Sequence, residues 1–188
     1  MSLKLVILGV LDRHNVHPYD IKRFLKRYKW DYLFQISDAK IYYAFESLEK
    51  GGFVEVSEVV ENEKTPTKTI YQITEAGRAQ IEKELEKVLK KDVHSFKLIY
   101  PALLFFNYAE KERLLQLLDE RRQRIEKELH QSFEENKHPE GSITAYITQN
   151  AIQHLTIDLE WLTSLYQKIQ NDELKPQVTY DIEQFFAN

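Results

Sequence analysis

At Gly51-Gly52 the spacing of apolar residues changes period, and that change constrains the fold of this chain more than any other feature. Before it, Ser37 to Phe53 reads SDAKIYYAFESLEKGGF. Ser37 is a good N-cap, no Gly or Pro interrupts the following dozen residues, and the glycine pair supplies a helix stop. Ile41, Phe45 and Leu48 recur at helical spacing and face a core, whereas Lys40, Tyr43 and Ser47 fall on another face that mixes a cation with hydrogen-bonding groups. After it, Val54 and Val56 alternate with Phe53, Glu55 and Ser57, with Val59-Val60 beyond, which is the pattern of a strand. A polar turn over Glu61 to Lys68 and a second strand, Thr69 to Ile73, complete a hairpin. Thr74 then opens a further helix running from Glu75 to about Lys91, thick in Glu/Lys pairs four apart.

Upstream, Leu3 to Leu11 is apolar on nearly every side and reads as a buried helix, with Gly9 allowing close packing by another element. Pro18 sits where the first turn of a helix tolerates it, and Tyr19, Ile21, Phe24, Leu25 and Tyr28 continue at helical spacing. The same helix carries KRFLKRYK, Lys22 to Lys29, with five cations in eight residues. Trp30 to Ile36 is an aromatic connection that packs rather than moves, because so much apolar surface would otherwise face water. Three helices, a hairpin and a closing helix give the order of a winged helix-turn-helix. In that fold the third helix enters the DNA major groove and the hairpin touches backbone or minor groove.

Charge agrees once the chain is divided. Residues 1–92 hold 16 Lys+Arg against 15 Asp+Glu, whereas residues 93–188 hold 10 against 15, so the net charge of −4 is an acid excess downstream. The basic cluster suits a phosphate backbone, although a solvated helix face has the same composition. With 188 residues, 43% of them apolar, the chain can bury a core, and with no cysteine it has neither disulfides nor thiolate chemistry. The apolar run Leu5 to Leu11 is too short to span a membrane, and a cytoplasmic protein is expected.

The second half shows no strand signal. Val93 to Tyr108 contains the apolar run FKLIYPALLFFNY, which Pro101 is expected to kink or divide. From Ala109 to about Lys137, Leu114, Leu118, Ile125, Leu129 and Phe133 mark the buried stripe of a long helix. A second helix of similar length follows, marked by Ile143, Ile147, Ala151, Leu155, Leu162, Tyr166 and Ile169, with Trp161 beside the stripe and Pro176 beyond its end. Two such helices with little beside them point to a second copy of the chain, so a homodimer is expected through Leu114, Leu118, Ile125, Leu129, Ile147, Leu155, Trp161, Leu162 and Tyr166. A hairpin folding back on the winged domain is the alternative. The domain expectation is 1–92 winged helix, 93–176 helical dimerisation region and 177–188 C-terminal tail.

ILGVL at Ile7 to Leu11, HPYDIKRFL at His17 to Leu25, SDAKIYYAFESLEKGGF and TPTKTIYQITEAGR at Thr65 to Arg78 fall in the order and spacing of one family. Over residues 5–80 the chain resembles the PadR-type repressors, whose fold is an N-terminal winged helix with a helical C-terminal dimerisation region. It departs from them at Pro18-Tyr19, where a Gly-Tyr pair is usual, and at Ile41-Tyr42-Tyr43, where Leu-Tyr-Pro is common. The wing's usual basic pair is reduced to Thr67-Lys68. The resemblance implies that Ser37, Lys40, Tyr42, Tyr43 and Ser47 meet DNA. Tyr19, Lys22, Arg23, Lys64, Thr67 and Lys68 would then lie along phosphates, and Tyr42 packing against the second helix is the competing role. It also implies a small aromatic effector, for which Trp30, Tyr100, Phe105, Phe106 and Tyr146 are the cavity candidates, as Trp161 would be; aromatic residues at helical spacing are core far more often than ligand pocket.

Other classes find little support. Five scattered glycines make no phosphate loop, no nucleophile elbow appears, and no cofactor motif is present, so an enzyme is not expected. His14 and His17 lie three apart in a loop without a carboxylate or thiolate at ligand spacing, which favours two surface histidines over a metal site. A helical dimerisation or adaptor protein without sequence-specific DNA binding is the remaining alternative.

Overall fold

A computed structural model of the chain describes residues 3–27, 30, 36–62, 65–91, 99–135, 137–174 and 185–186. It divides into two compact units: residues 1–88, 97–109 and 176–188 form one, and residues 89–96 and 110–175 the other.

The first unit is built around α1, Leu3–Leu11, buried from Leu5 to Leu11 without a break. A helix apolar on all sides must be surrounded. α2, Pro18–Arg27, contributes Ile21, Phe24 and Leu25 to the core, and α3, Asp38–Lys50, contributes Ile41, Ala44, Phe45 and Leu48. Both ends of α3 are closed as the sequence predicts. Ser37 Oγ accepts from the Lys40 amide at 3.3 Å. At the other end Phe53 N–H donates to the Leu48 carbonyl and Gly52 N–H to that of Glu49, both at 2.9 Å, with Gly52 at φ 72°. This paired closure needs one left-handed residue, which glycine supplies without strain.

β1, Val54–Asn62, pairs antiparallel with β2, Thr65–Ile73. The strands run into the expected Glu61 to Lys68 turn, because Thr65 and Lys68 pair with Asn62 and Val60 in the backbone ladder. Register shifts between Val56 and Glu58, where Ser57 is extra, and again between Val60 and Asn62. On the far side of β2, Val16 exchanges both backbone bonds with Tyr71, at 3.1 and 3.0 Å, so the root of β2 is held between β1 and this single bridge. Val54 and Ile73 are buried there, whereas Val56, Val59 and Val60 project into solvent as a wing.

α4, Glu75–Leu89, is tied to this root through Thr74. The Thr74 hydroxyl donates to the Gly52 carbonyl at 2.7 Å and accepts from Gly77 N–H at 3.1 Å. The unit is completed by α5, Tyr100–Leu103, and a short 3-10 turn, Phe106–Tyr108. Pro101 sits in the first turn of this short helix, where an amide has no helical partner to lose. The segment 97–109 groups with this unit, and Phe105 within it seats against Gly9.

The second unit is a hairpin of α6, Lys111–Glu135, and α7, Ile143–Gln170. Leu114, Leu117, Leu118 and Ile125 are buried on α6, as are Ile152, Leu162 and Ile169 on α7. The Arg121 guanidinium donates to the carbonyls of Leu89 and Lys91, and Arg124 to that of Leu89, so cations close the end of α4 where its dipole is negative. No helix among the described residues is long and apolar enough to cross a membrane.

Candidate nucleic-acid interface

With Ile41, Phe45 and Leu48 turned inward, α3 presents Ala39, Lys40, Tyr42 and Tyr43 along its first two turns. Tyr43 is 73% exposed and Tyr42 50%, large aromatic surfaces for a helix whose other face is sealed. Each phenol carries a donor and acceptor on an apolar ring, so the pair can meet base edges, thymine methyls or phosphate oxygens.

Around that face the structure assembles groups from three elements. Lys22 on α2 forms an ion pair with Asp38 in the first turn of α3 at 2.5 Å. The hydrogen bond to Asp38 is the main reason the Lys22 ammonium is held above its ordinary pKa. The same ammonium lies 5.8 Å from the centre of the Tyr19 ring, and Tyr19 is 55% exposed. His17 meets Tyr42 edge to face at 6.1 Å. From the wing, the Lys68 charge reaches His17: burial lowers the His17 pKa most, Asp20 opposes that, and Lys68 adds to it. Tyr19, Lys22, Tyr42 and Lys68 therefore surround one junction of α2, α3 and wing, with His17 at its centre. Thr67 and Lys68 are exposed.

The remaining candidates sit differently. The Ser37 hydroxyl is occupied as the N-cap. Ser47 is half-buried and accepts from Lys4 of α1 at 2.9 Å, on the flank away from Tyr42. Arg23 turns back toward Asp20 of its own helix at 3.7 Å. Lys64 lies outside the described residues, as do Tyr28 and Lys29 of the basic run.

His17 and Asp38 were not singled out for this surface by sequence reasoning. A signal for His17 existed: Asp20, three residues on, accepts from the His17 amide at 3.2 Å, and the His17 ring nitrogen Nδ1 accepts from Tyr19 N–H at 3.1 Å. That is a reciprocal helix cap with histidine in the capping position. The other loop histidine, His14, stacks against Phe186 at 5.0 Å, and no group of three metal-ligating side chains occurs among the described residues.

Of the cavity candidates, Phe105 is fully buried, Trp30 meets Phe24 edge to face at 6.3 Å, and Tyr100 and Phe106 are partly open. Tyr146 belongs to the second unit and is exposed. Of the residues expected at a dimer interface, Leu114, Leu118, Ile125 and Leu162 are already buried within one chain, while Leu129, Leu155 and Tyr166 are half-buried. Ile147 and Trp161 remain open to solvent.

Residues 7–83 match the family model of the transcriptional regulator PadR-like family. No curated protein matches the chain significantly. Among solved structures, the chain is similar to smu.1604c of Streptococcus mutans UA159, at 26% identity over 93% of this chain and 100% of that one, with a TM-score of 0.42. It is similar to the PadR-like transcriptional regulator BC1756 of Bacillus cereus, at 23% identity over 90% and 96%, with a TM-score of 0.38. It is also similar to Bacillus subtilis PadR, crystallised in complex with operator DNA, at 19% identity over 89% and 98%, with a TM-score of 0.37.

Proposed function

Because residues 7–83 belong to the PadR-like family of transcriptional regulators, we propose that this chain is a repressor that binds a partly palindromic operator as a homodimer. The observation that carries the reading is the open Tyr42-Tyr43 face of α3, with His17 against Tyr42, Tyr19 and Lys22 beside His17, and the charge of the wing's Lys68 within reach of it. In a major groove, Lys40, Tyr42 and Tyr43 supply sequence preference. Tyr19, Lys22, Thr67 and Lys68 lie along phosphates and make affinity fall with salt. Two copies place their reading helices roughly one helical turn apart, and occupancy of a promoter blocks polymerase.

Support for the homodimer comes from α7. Ile143, Tyr146, Ile147, Ile157 and Trp161 form an exposed stripe at helical spacing, interrupted by Asn150 and His154, on the side away from the buried Ile152 and Leu162. At 1.5 Å per residue that stripe runs about 27 Å, enough for an intersubunit seam. The dimer therefore uses the outer face of α7, while the inner stripe of α6 holds the hairpin together. An aromatic effector would meet the partly open Tyr100 and Phe106, acting by favouring one state of the dimer.

Bandshift of fragments upstream of the chain's own gene, in rising salt, tests the reading. Retardation that weakens with salt is expected, and no retardation of any fragment at low salt would sink it. Sedimentation of Ile147→Glu should give a monomer where the parent gives a dimer.

A further inference from the structure

The outer face of α7 is ordered as well as exposed. Ile143, Ile147, Asn150, His154, Ile157 and Trp161 follow one another at spacings of four, three, four, three and four, which is the a/d seam of a coiled coil. All six are exposed, on the side away from Ile152 and Leu162, which the hairpin buries. The seam also reads alike from its two ends: two apolar residues, two polar ones, two apolar ones. A two-fold interface requires that where one residue meets another, the second also meets the first. Antiparallel pairing of two such helices about an axis level with Ile152 satisfies this at every layer. Ile143 then faces Trp161, Ile147 faces Ile157, and Asn150 faces His154. An amide and a neutral imidazole each carry a donor and an acceptor, so each satisfies the other. Slid by one heptad in either direction, Asn150 and His154 face Ile or Trp side chains and lose their bonds to water without replacement. Parallel pairing sets Asp158 and Glu160 level with the same acids of the second helix, whereas antiparallel pairing separates the two Asp158 positions by about 18 Å along the axis.

We propose that this seam joins two copies of the chain: α7 packs antiparallel on α7 of the partner, and hydrogen bonds between Asn150 and the partner's His154, made twice across the axis, fix direction and register. The polar residues that interrupt the stripe are the reason one alignment wins, since the shifted and parallel alternatives leave them facing apolar side chains or their own kind. The four outer layers supply apolar burial, and the two central layers supply specificity. This rests on the homodimer reading above and adds to it the direction of the helices, their register and the residues that set both.

Two full-length variants, Ile147→Cys and Ile157→Cys, test it, the chain having no cysteine of its own. Ile147 is 62% exposed and Ile157 61%, so the hairpin keeps its buried side in both. In the antiparallel seam position 147 faces position 157, while two copies of either position lie about 15 Å apart along the axis, beyond the reach of a disulfide. Oxidation with copper phenanthroline should link an equimolar mixture, one variant carrying a tag that shifts its mass, into the mixed dimer, and should leave either variant alone unlinked. Self-linked dimers of each variant would overturn the antiparallel direction. No link in any sample, with a parent that sediments as a dimer, overturns the seam and leaves the homodimer standing; a monomeric parent removes both. The polar centre is read by sedimentation. Asn150→Leu should weaken dimerisation about tenfold, because His154 then faces an apolar side chain. Asn150→Leu with His154→Leu should recover the loss. Undiminished dimerisation of Asn150→Leu alone would overturn the pairing of Asn150 with His154.

Discussion

The Tyr108 hydroxyl donates to the Asp12 carboxylate at 2.6 Å across 96 positions of sequence, and Arg78 donates to the other oxygen of the same carboxylate at 2.9 Å. One acid thereby joins the end of α1, the first turn of α4 and the segment beyond α5. Burial first, then the bond to Asp12, pushes the Tyr108 pKa up from 10.0 to about 12. A raised folded-state pKa contributes stability that is complete below the unfolded value and is lost as pH climbs past it. Tyr108→Phe should therefore cost about 1 to 2 kcal/mol near neutral pH. Its deficit against the parent should shrink between pH 10 and 12, read by chemical denaturation; a deficit constant across that range would contradict the assignment.

His17 gives the opposite sign. Burial is the main cause of its pKa lying below 6.5, so its stabilising effect is full above that value and is lost as pH falls through the lower folded value. Protonation has a structural consequence as well, because a protonated ring has no lone pair on Nδ1 to accept from Tyr19 N–H. Melting temperature of the parent should drop more than that of His17→Asn as pH falls from 7.5 to 5, because asparagine caps with an amide oxygen at every pH. A difference independent of pH would rule out the cap as its origin.

Gly9 should tolerate no side chain. A Cβ built there lies 2.2 Å from Cε1 of Phe105, and Phe105 is fully buried. Gly9→Ala is expected to destabilise by about 1 to 3 kcal/mol. Phe105→Leu in the same chain should recover part of that loss, measured by urea unfolding. Wild-type stability in Gly9→Ala would mean that the ring moves freely, contrary to its packing.

Reading and anchoring residues should separate in binding experiments. Lys68→Ala removes an exposed wing cation and should weaken binding to all duplexes alike, lowering the salt slope by about one. Tyr43→Ala should leave the slope unchanged and reduce the preference for the selected operator over random duplex. Equal effects of the two substitutions on both quantities would refute the division of roles along α3 and the wing.

Much of the winged unit was legible in the order of its residues. The caps of α3, the helical spacing of Ile41, Phe45 and Leu48, and the alternation after Gly52 are local patterns, each fixed by neighbours within a turn or a pleat. Helical spacing placed Tyr43 on the outer face of α3 for the same reason, whereas Tyr42 came only from the family resemblance, with packing against the second helix as the competing role. It could not tell that Ser47 would be engaged by Lys4, since that bond spans 43 positions. Nor could it tell which apolar stripe of the long helices the chain fills itself, because Leu118 and Ile147 look alike until α6 and α7 are laid together.

By itself, then, the sequence determined the order and type of the elements of the winged unit, how α3 is capped, which of its faces is apolar, and that residues 7–83 match the PadR-like family model. Those properties follow from spacing, capping and backbone permissiveness, all short-ranged along the chain. Only the tertiary structure decided that Asp38 would neutralise Lys22 and that His17 would stand between Tyr42 and the wing. It alone decided that Phe185-Phe186 would return to cover Phe24. Charge pairing and ring packing act over a few ångströms of space, whatever the separation in sequence, and so they appear only when the elements are brought together.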